Sequence, residues 1–400
     1  MNVLFYTYFD VSPQKGGTER ITSTISTELE RCGLNCFLAY DCDIDEGYKK
    51  TDFNGKIKIG NLKKQKNCDK LKKFIIKNDI DIVLVQGLFD KVVDIRRIIS
   101  EHPQTVIIFA HHFNPGAEET FLSVHSIMTQ LKGKHSNIFK NILKLVLMPL
   151  LKIRYVYKLH KQYNQTYKNA DKIVLLSKGF IGDFIAYAHL HDKKKIRVIH
   201  NALSFAAYFD MSIYHRKLKE VIIVSRLEER QKRISMALKI WKRINENKQF
   251  SDWSLKIIGT GSDEVRYKRL SAKLRLKNVS FEGRQNPIPY YEKASVFMMT
   301  SAFEGWGLTL TEAQQFGVVP LAFNSYASVK DIIEDGYNGF IVDDGDIDGY
   351  VKKMELVMSD YKFRYDLARH CIDSSKRYEV GVIGNQWMQL FKDCINEKIR

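Results

Sequence analysis

The sequence predicts an α/β protein of two domains, each a doubly wound parallel sheet. Three observations lead there. The chain has 400 residues, more than one hydrophobic core usually organises. Short β-branched runs alternate with helix-length segments throughout. Several of those runs, such as "DIVLVQG" and "TVIIFAHH", are apolar at successive positions, as strands covered by helices on both faces must be. The composition is that of an ordinary globular protein, 44% hydrophobic and 27% charged, and seven prolines leave no Pro-rich linker.

In the first half, predicted strands cover 2–9, 35–40, 56–59, 81–86, 105–110, 172–177 and 196–200. In the second they cover 220–225, 254–259, 279–282, 295–300, 319–323 and 340–343. The segment "NALSFAAYFDMSIYHRKLKE" separates the two sets, and the domain boundary is placed there, giving domains 1–202 and 203–375. The tail after Ser375 has a helical pattern with Trp387 and Leu390, able to pack on either half. The start, "MNVLFYTYFD", lacks a basic leader region and reads as a strand rather than a signal peptide. No uncharged apolar run nears the roughly 20 residues that cross a bilayer.

The formal net charge is +17, unevenly spread. Residues 1–200 hold 32 Lys+Arg against 20 Asp+Glu, while 201–400 hold 31 against 26. No acid occurs from Thr120 to Ala170. Such a field suits an anionic partner: a nucleic acid, an anionic membrane or an anionic substrate. Within that stretch "KNILKLVLMPLLKIRYVYKLHKQY" mixes apolar and basic residues, with Pro149 as a break. Two readings stand: amphipathic helices lying on an anionic membrane over 132–161, or a core-facing helix pair with a basic solvent side. No nucleic-acid-binding motif is present. The six cysteines form no CxxC and no zinc-ligand spacing, which reads as reduced cytosolic thiols and no metal site.

"FEGWGLTLTEAQQFGVVPLAF" reads as a loop after a strand, a helix, a glycine stop at Gly317 and another strand. Thr309 or Thr311 is a candidate helix cap. Glu304 then lies in the loop and Glu312 near the first turn. Gly305 and Gly307 permit close backbone approach, and N–H groups at the helix start suit a phosphate or a hydroxyl-rich ligand. Two carboxylates there suit sugar or ribose hydroxyls. The bland alternative is a solvated loop acid and a helix-dipole acid.

"VIIVSRLEERQKRIS" places Arg226 and Lys232 beyond another strand, fit for a diphosphate or for a plain basic helix surface. "YFDVSPQKGGTERI" places Gly16 and Gly17 before a helix that Thr18 is able to cap; this is a phosphate or substrate loop or a tight turn, and neither a GxGxxG nor a P-loop. "IIGTGSD" offers a weak strand-end GxG at Gly259. "TVIIFAHHFNPGAE" ends a strand with His111 and His112, either cleft-facing or structural.

In this order the motifs resemble family 4 glycosyltransferases of the GT-B fold: a GGxE loop, a cleft histidine, a strand ending in RL with a following Lys, then E-x7-E. "DGYNGFIV" resembles the family segment that follows E-x7-E, and "HHFNPGAE" and "ADKIVLLSKGFI" are similar to a bacterial surface-polysaccharide branch. The resemblance implies two Rossmann-like domains facing a cleft. The first binds the acceptor and receives the final helix, 376–400. The second binds the nucleotide sugar.

It also implies a retaining, metal-independent transfer from a nucleotide diphosphate sugar to a lipid-linked or cell-envelope glycan. No cofactor and no nucleic acid take part. The setting is cytoplasmic, peripheral on the inner face of the plasma membrane. By position, Glu312 would hold the ribose and Glu304 the donor sugar, with Trp306, Gly307 and Leu308 offering backbone N–H groups. Arg226 and Lys232 would hold the diphosphate, Gly16 and Gly17 would line the cleft, and His112 rather than His111 would be the cleft histidine.

Two departures stand out. Arg226 and Lys232 are one residue further apart than the commonest family spacing. "NSYASVKDII" replaces a glycine-rich turn that faces the donor. Asp79–Asp81 is a DxD triplet at the wrong end of a strand for a metal site. The alternatives are an epimerase of nucleotide sugars on the same fold and a non-catalytic glycan- or nucleotide-binding protein.

Overall fold

The structure is a computed structural model that describes residues 1–44, 47–121 and 147–399. It contains two parallel α/β sheets, as the apolar runs predict. In the first, β1 (Asn2–Phe9), β2 (Asn35–Cys42), β3 (Gly55–Lys58), β4 (Ile82–Gln86), β5 (Val106–His111), β6 (Lys172–Leu175) and β7 (Ile196–Val198) lie in the order β3-β2-β1-β4-β5-β6-β7. In the second, β8 (Glu220–Val224), β9 (Ser254–Ile258), β10 (Val279–Gly283), β11 (Val296–Met299), β12 (Val319–Phe323) and β13 (Phe340–Val342) lie in the order β10-β9-β8-β11-β12-β13. Each order reverses once, between β1 and β4 and between β8 and β11. Loops at the carboxyl ends of those strands therefore diverge around a crevice, the usual ligand position in such sheets.

The helices of the first unit are α1 (Gly17–Arg31), α2 (Gln65–Lys77), α3 (Phe89–Ile98), α4 (Met148–Asn169) and α5 (Phe180–Ala188). Those between β8 and β13 are α6 (Glu229–Lys232), α7 (Ile234–Glu246), α8 (Glu264–Lys273), α9 (Ile288–Lys293), α10 (Leu308–Gln315) and α11 (Val329–Ile332). Three follow: α12 (Ile347–Ser359), α13 (Tyr361–Ser375) and α14 (Val380–Ile399). Contacts divide the chain into Met1–His200 with Ile383–Arg400, and Asn201–Val382.

Strands β4 and β5 are buried along their whole length, which explains their unbroken apolar runs. Helix α14 buries Trp387, Leu390 and Phe391 in the first unit. Its Gly384 is pressed to α1: a Cβ there would stand 2.7 Å from the Glu28 Cγ. Polar anchors flank it, with Lys172 Nζ 2.8 Å from Glu397 and Lys398 Nζ 3.1 Å from Asp171. In the second unit, Trp241, Trp253 and Tyr267 fill the core under β8 and β9, and the Trp241 indole donates to the Lys277 carbonyl at 3.0 Å.

Pro149 stands at the start of a helix. It occupies the first turn of α4, where a missing N–H costs nothing. What precedes residue 147, including that part of 132–161, lies outside the described residues. Among the described residues no helix is long and apolar enough to cross a membrane, and no group of three or more His, Cys, Asp or Glu side chains is set to hold a metal ion. The six cysteines are free thiols.

Candidate functional site

The loops after β8 and β11 bring acids and bases together across the second sheet's reversal point. These strands are neighbours, with Val296 beside Val221. Their loops therefore meet although Arg226 and Glu304 are far apart in sequence. Lys232 Nζ lies 2.5 Å from Glu304 Oε1, with side-chain exposures of 14% and 10%. Gln231 Nε2 donates to the other Glu304 oxygen, Oε2, and to the Phe303 carbonyl, both at 3.3 Å. Gln231 Oε1 accepts from Arg226 Nη2 at 3.3 Å. The chain Arg226–Gln231–Glu304–Lys232 is thus continuous. Sequence reasoning missed Gln231, since a glutamine among basic residues carries no signal of its own.

The segment from Arg226 to Lys232 ends in the single turn of α6. Arg233 then leaves that turn with φ +47, a left-handed conformation unusual for a side chain this large. Its guanidinium offsets the strain by donating to the Thr300 and Ser301 carbonyls at 2.8 and 2.9 Å and by pairing with Asp344. Gly259 closes the same corner. Its φ is +138, and it packs directly on the Ser225 carbonyl, the residue before Arg226.

Beyond Glu304, Gly305 and Trp306 continue the loop, and Trp306 is buried with its ring edge-on to Tyr378 at 5.2 Å. The expected threonine caps are absent. Gly307, at φ +97, is the N-cap of α10, and the helix starts at Leu308. The Thr311 hydroxyl turns back to the Leu308 carbonyl instead. A glycine entering from the left-handed region leaves no side chain over the first N–H groups of the helix. Gly317, at φ +61, stops it, as expected.

The turn "NSYASVKDII" is stitched to this loop. Ser328 Oγ donates to the Trp306 carbonyl at 3.2 Å, and Ser325 Oγ to the Ser301 carbonyl at 2.6 Å. Tyr326 is buried beneath the loop, its hydroxyl 3.0 Å from the Met299 sulfur. Side chains thus supply the packing where the family pattern has glycines.

Glu312 lies in the second turn of α10 and is fully buried. Tyr291 donates its hydroxyl to Glu312 Oε2 at 2.9 Å. The Tyr291 ring stacks on Phe316 at 5.8 Å, and Lys217 Nζ donates to the carbonyls of both, at 2.6 and 2.7 Å. Lys217 thereby ties α9 to the C-terminus of α10, where a cation is favoured. Burial pushes its ammonium well below the usual lysine range. Tyr291→Phe removes one hydrogen bond to a buried carboxylate, worth about 1.5–3 kcal/mol. The expected result is a loss of roughly that size in unfolding free energy, read by urea denaturation; an unchanged midpoint would show that the bond contributes nothing.

In the first unit, the register of β4 and β5 decides the roles of the two histidines. Gln86 pairs with Ala110, so His112, two residues on, shares its face. His112 Nε2 meets Gln86 Oε1. His111 points the other way and is buried, 3.3 Å from both Glu118 Oε1 and the Tyr163 hydroxyl. Tyr163 also donates to Glu118 at 3.1 Å. Burial works against the Glu118 charge, but the bonds from His111 and Tyr163 outweigh it and hold the carboxyl below its usual range.

Burial, with His111 adjacent, pushes the His112 imidazole down to about 3. The unfolded ring titrates near 6.5. Between those values the unfolded state binds more protons. This contribution to stability is present above about pH 6.5 and is lost as pH falls towards 3. The denaturant midpoint of the wild type is therefore expected to drop more between pH 7.5 and 5 than that of His112→Gln; equal drops would refute a half-buried ring held neutral by the fold.

Gly16 and Gly17 follow β1. Gly16 is extended and is itself the N-cap of α1, so Thr18 lies inside the helix and does not cap it. Asp81 lies before β4, where its carboxylate accepts from the Asn2 N–H at 2.7 Å; this is the amino end of the strands, as read from the sequence.

Comparison with known proteins agrees with the two-sheet fold. Residues 212–377 match the family model described as "Glycosyl transferases group 1". An "Uncharacterized glycosyltransferase" of Haemophilus influenzae is 32% identical over 152 residues, covering 38% of this chain and 42% of that protein. The "GalNAc-alpha-(1->4)-GalNAc-alpha-(1->3)-diNAcBac-PP-undecaprenol alpha-1,4-N-acetyl-D-galactosaminyltransferase" of Campylobacter jejuni is 29% identical over 206 residues, covering 51% and 56%. The chain thus spans about half the length of these relatives. The structure of Anabaena HepE in complex with UDP shares the fold, with a TM-score of 0.72 at 15% identity over 98% of this chain and 100% of that one. This chain has a GT-B fold, its residues 212–377 match the group 1 glycosyltransferase model, and it is related to glycosyltransferases of bacterial surface polysaccharides.

Proposed function

We propose that the protein transfers a sugar from a nucleotide diphosphate sugar, with retention and without a metal, to a lipid-linked or cell-envelope glycan. The observation that carries this reading is the Arg226–Gln231–Glu304–Lys232 chain at the reversal point of the second sheet. A nucleotide sugar has phosphates for the two cations and hydroxyls for the carboxylates, so the site's two signs match its two kinds of group. Arg226 and Lys232 take the diphosphate and stabilise the charge that grows on it as the sugar leaves. Glu304 takes donor-sugar hydroxyls, with N–H groups from Trp306 to Leu308 alongside. Glu312, once uncovered, takes the ribose. Gly259 keeps Arg226 in place. Residues 203–375 form the donor domain and 1–202 the acceptor domain, to which the donor-binding Gly16 and Gly17 and the catalytic His112 belong.

The C. jejuni relative's printed name includes an undecaprenol-linked substrate, and a polyprenyl-linked acceptor is the class proposed for this chain. Helix α4 fits a setting at the inner face of the membrane. Leu150, Ile153 and Tyr157 are exposed at spacings of three and four residues, among exposed Lys152, Arg154, Lys158 and Lys161. An apolar stripe within basic residues suits an anionic bilayer.

Incubation with a panel of UDP-, GDP- and ADP-sugars and polyprenyl-linked acceptors tests the reaction, with consumption of one donor expected. If no donor is consumed, and Glu304→Ala leaves nucleotide binding unchanged, the transferase reading fails. Sedimentation with vesicles tests the membrane setting. Binding is expected to need anionic lipid and to weaken with salt.

A further inference from the structure

Resting on the donor-site reading above, we propose that the Lys232–Glu304 ion pair makes the site favour an intact nucleotide sugar over the bare nucleoside diphosphate, and so assists product release. In the free protein the cation assigned to phosphate is already engaged by the acid assigned to sugar, at 2.5 Å and largely out of water. A diphosphate arriving alone draws Lys232 towards itself and weakens that pair. Glu304 is only 8% exposed and does not recover a hydration shell. Its other side-chain donor among the described residues is Gln231, at 3.3 Å and shared with the Phe303 carbonyl. A carboxylate left this way opposes binding, because taking the partner from a buried charge is costly.

An intact donor brings the remedy with it. Its sugar hydroxyls donate to the Glu304 oxygens as Lys232 turns to the phosphates. After transfer the sugar has gone, Glu304 is again short of a donor, and recovery of Lys232 competes with the leaving diphosphate. One ion pair therefore couples sugar occupancy to phosphate affinity. Gln231 strengthens the coupling, because it touches both Glu304 and Arg226.

The test is calorimetric titration of the full chain, without acceptor, using UDP, GDP, ADP and their intact sugar donors. Wild type is expected to bind its preferred donor at least fivefold more tightly than the corresponding diphosphate. Equal affinities overturn the proposal without any variant. Glu304→Gln, which keeps the shape and removes the charge, is expected to bind that diphosphate at least tenfold more tightly than wild type. In a Lys232→Met background the same substitution is expected to change affinity less than twofold. Unchanged or weaker diphosphate binding by Glu304→Gln overturns the proposal, as does an equal gain in both backgrounds. If wild type binds neither diphosphates nor donors, the donor-site reading itself falls, a different result from either of these.

Discussion

Lys232→Met is expected to lower sugar transfer by about 10²–10³-fold at saturating donor, the loss typical when one preorganised electrostatic partner of a developing charge is removed. The same variant is expected to unfold more easily. It leaves Glu304 with a charge, 8% exposure and no cation. Breaking a buried pair by removing one partner costs about 3–5 kcal/mol. The two effects separate in a double variant. Adding Glu304→Gln removes the orphaned charge, so stability is expected to recover while transfer does not. Urea denaturation and initial-rate measurements on the single and double variants decide this. Turnover within tenfold of wild type for Lys232→Met would remove Lys232 from the reaction.

Gly259→Ala is the second large effect. The residue has φ +138, where a side chain is strained. A new Cβ would overlap the Ser225 carbonyl oxygen and stand 3.0 Å from its carbon. The obstacle is backbone at the end of a core strand, so it does not swing aside as a side chain would. Overpacking of about 1–3 kcal/mol and backbone strain of similar size together give a loss of roughly 2–6 kcal/mol. Relief requires moving Ser225 and with it Arg226. Misplacement by about 1 Å is able to cost on the order of 100-fold in rate. A variant with a normal denaturation midpoint and normal turnover would show that this corner yields freely.

Local pattern made most of the fold legible. The thirteen strands among the described residues stand where apolar β-branched runs predict them, within a few residues at their ends. A strand buried on both faces has no other way to be written. Gly317 was legible too, because a helix stop needs a left-handed residue and glycine supplies it. The failures are also local. Thr18, Thr309 and Thr311 looked like helix caps, but backbone geometry at Gly16 and Gly307 sets those helix starts.

The sequence by itself determined the layers, the order of elements and the chemical kinds present near each strand end: bases after β8, acids after β11, histidines at the end of β5. Tertiary structure decided their partners. Lys232 and Glu304 meet because β8 and β11 are neighbours at the reversal point, a pairing that no spacing along the chain encodes. Tyr291 reaches Glu312 from another helix, and Gln231 joins Arg226 to Glu304. The register of β4 against β5 separates His112 from His111. The reason is one of range: periodicity and capping act over a few residues, whereas each of these pairings follows from which strand lies beside which.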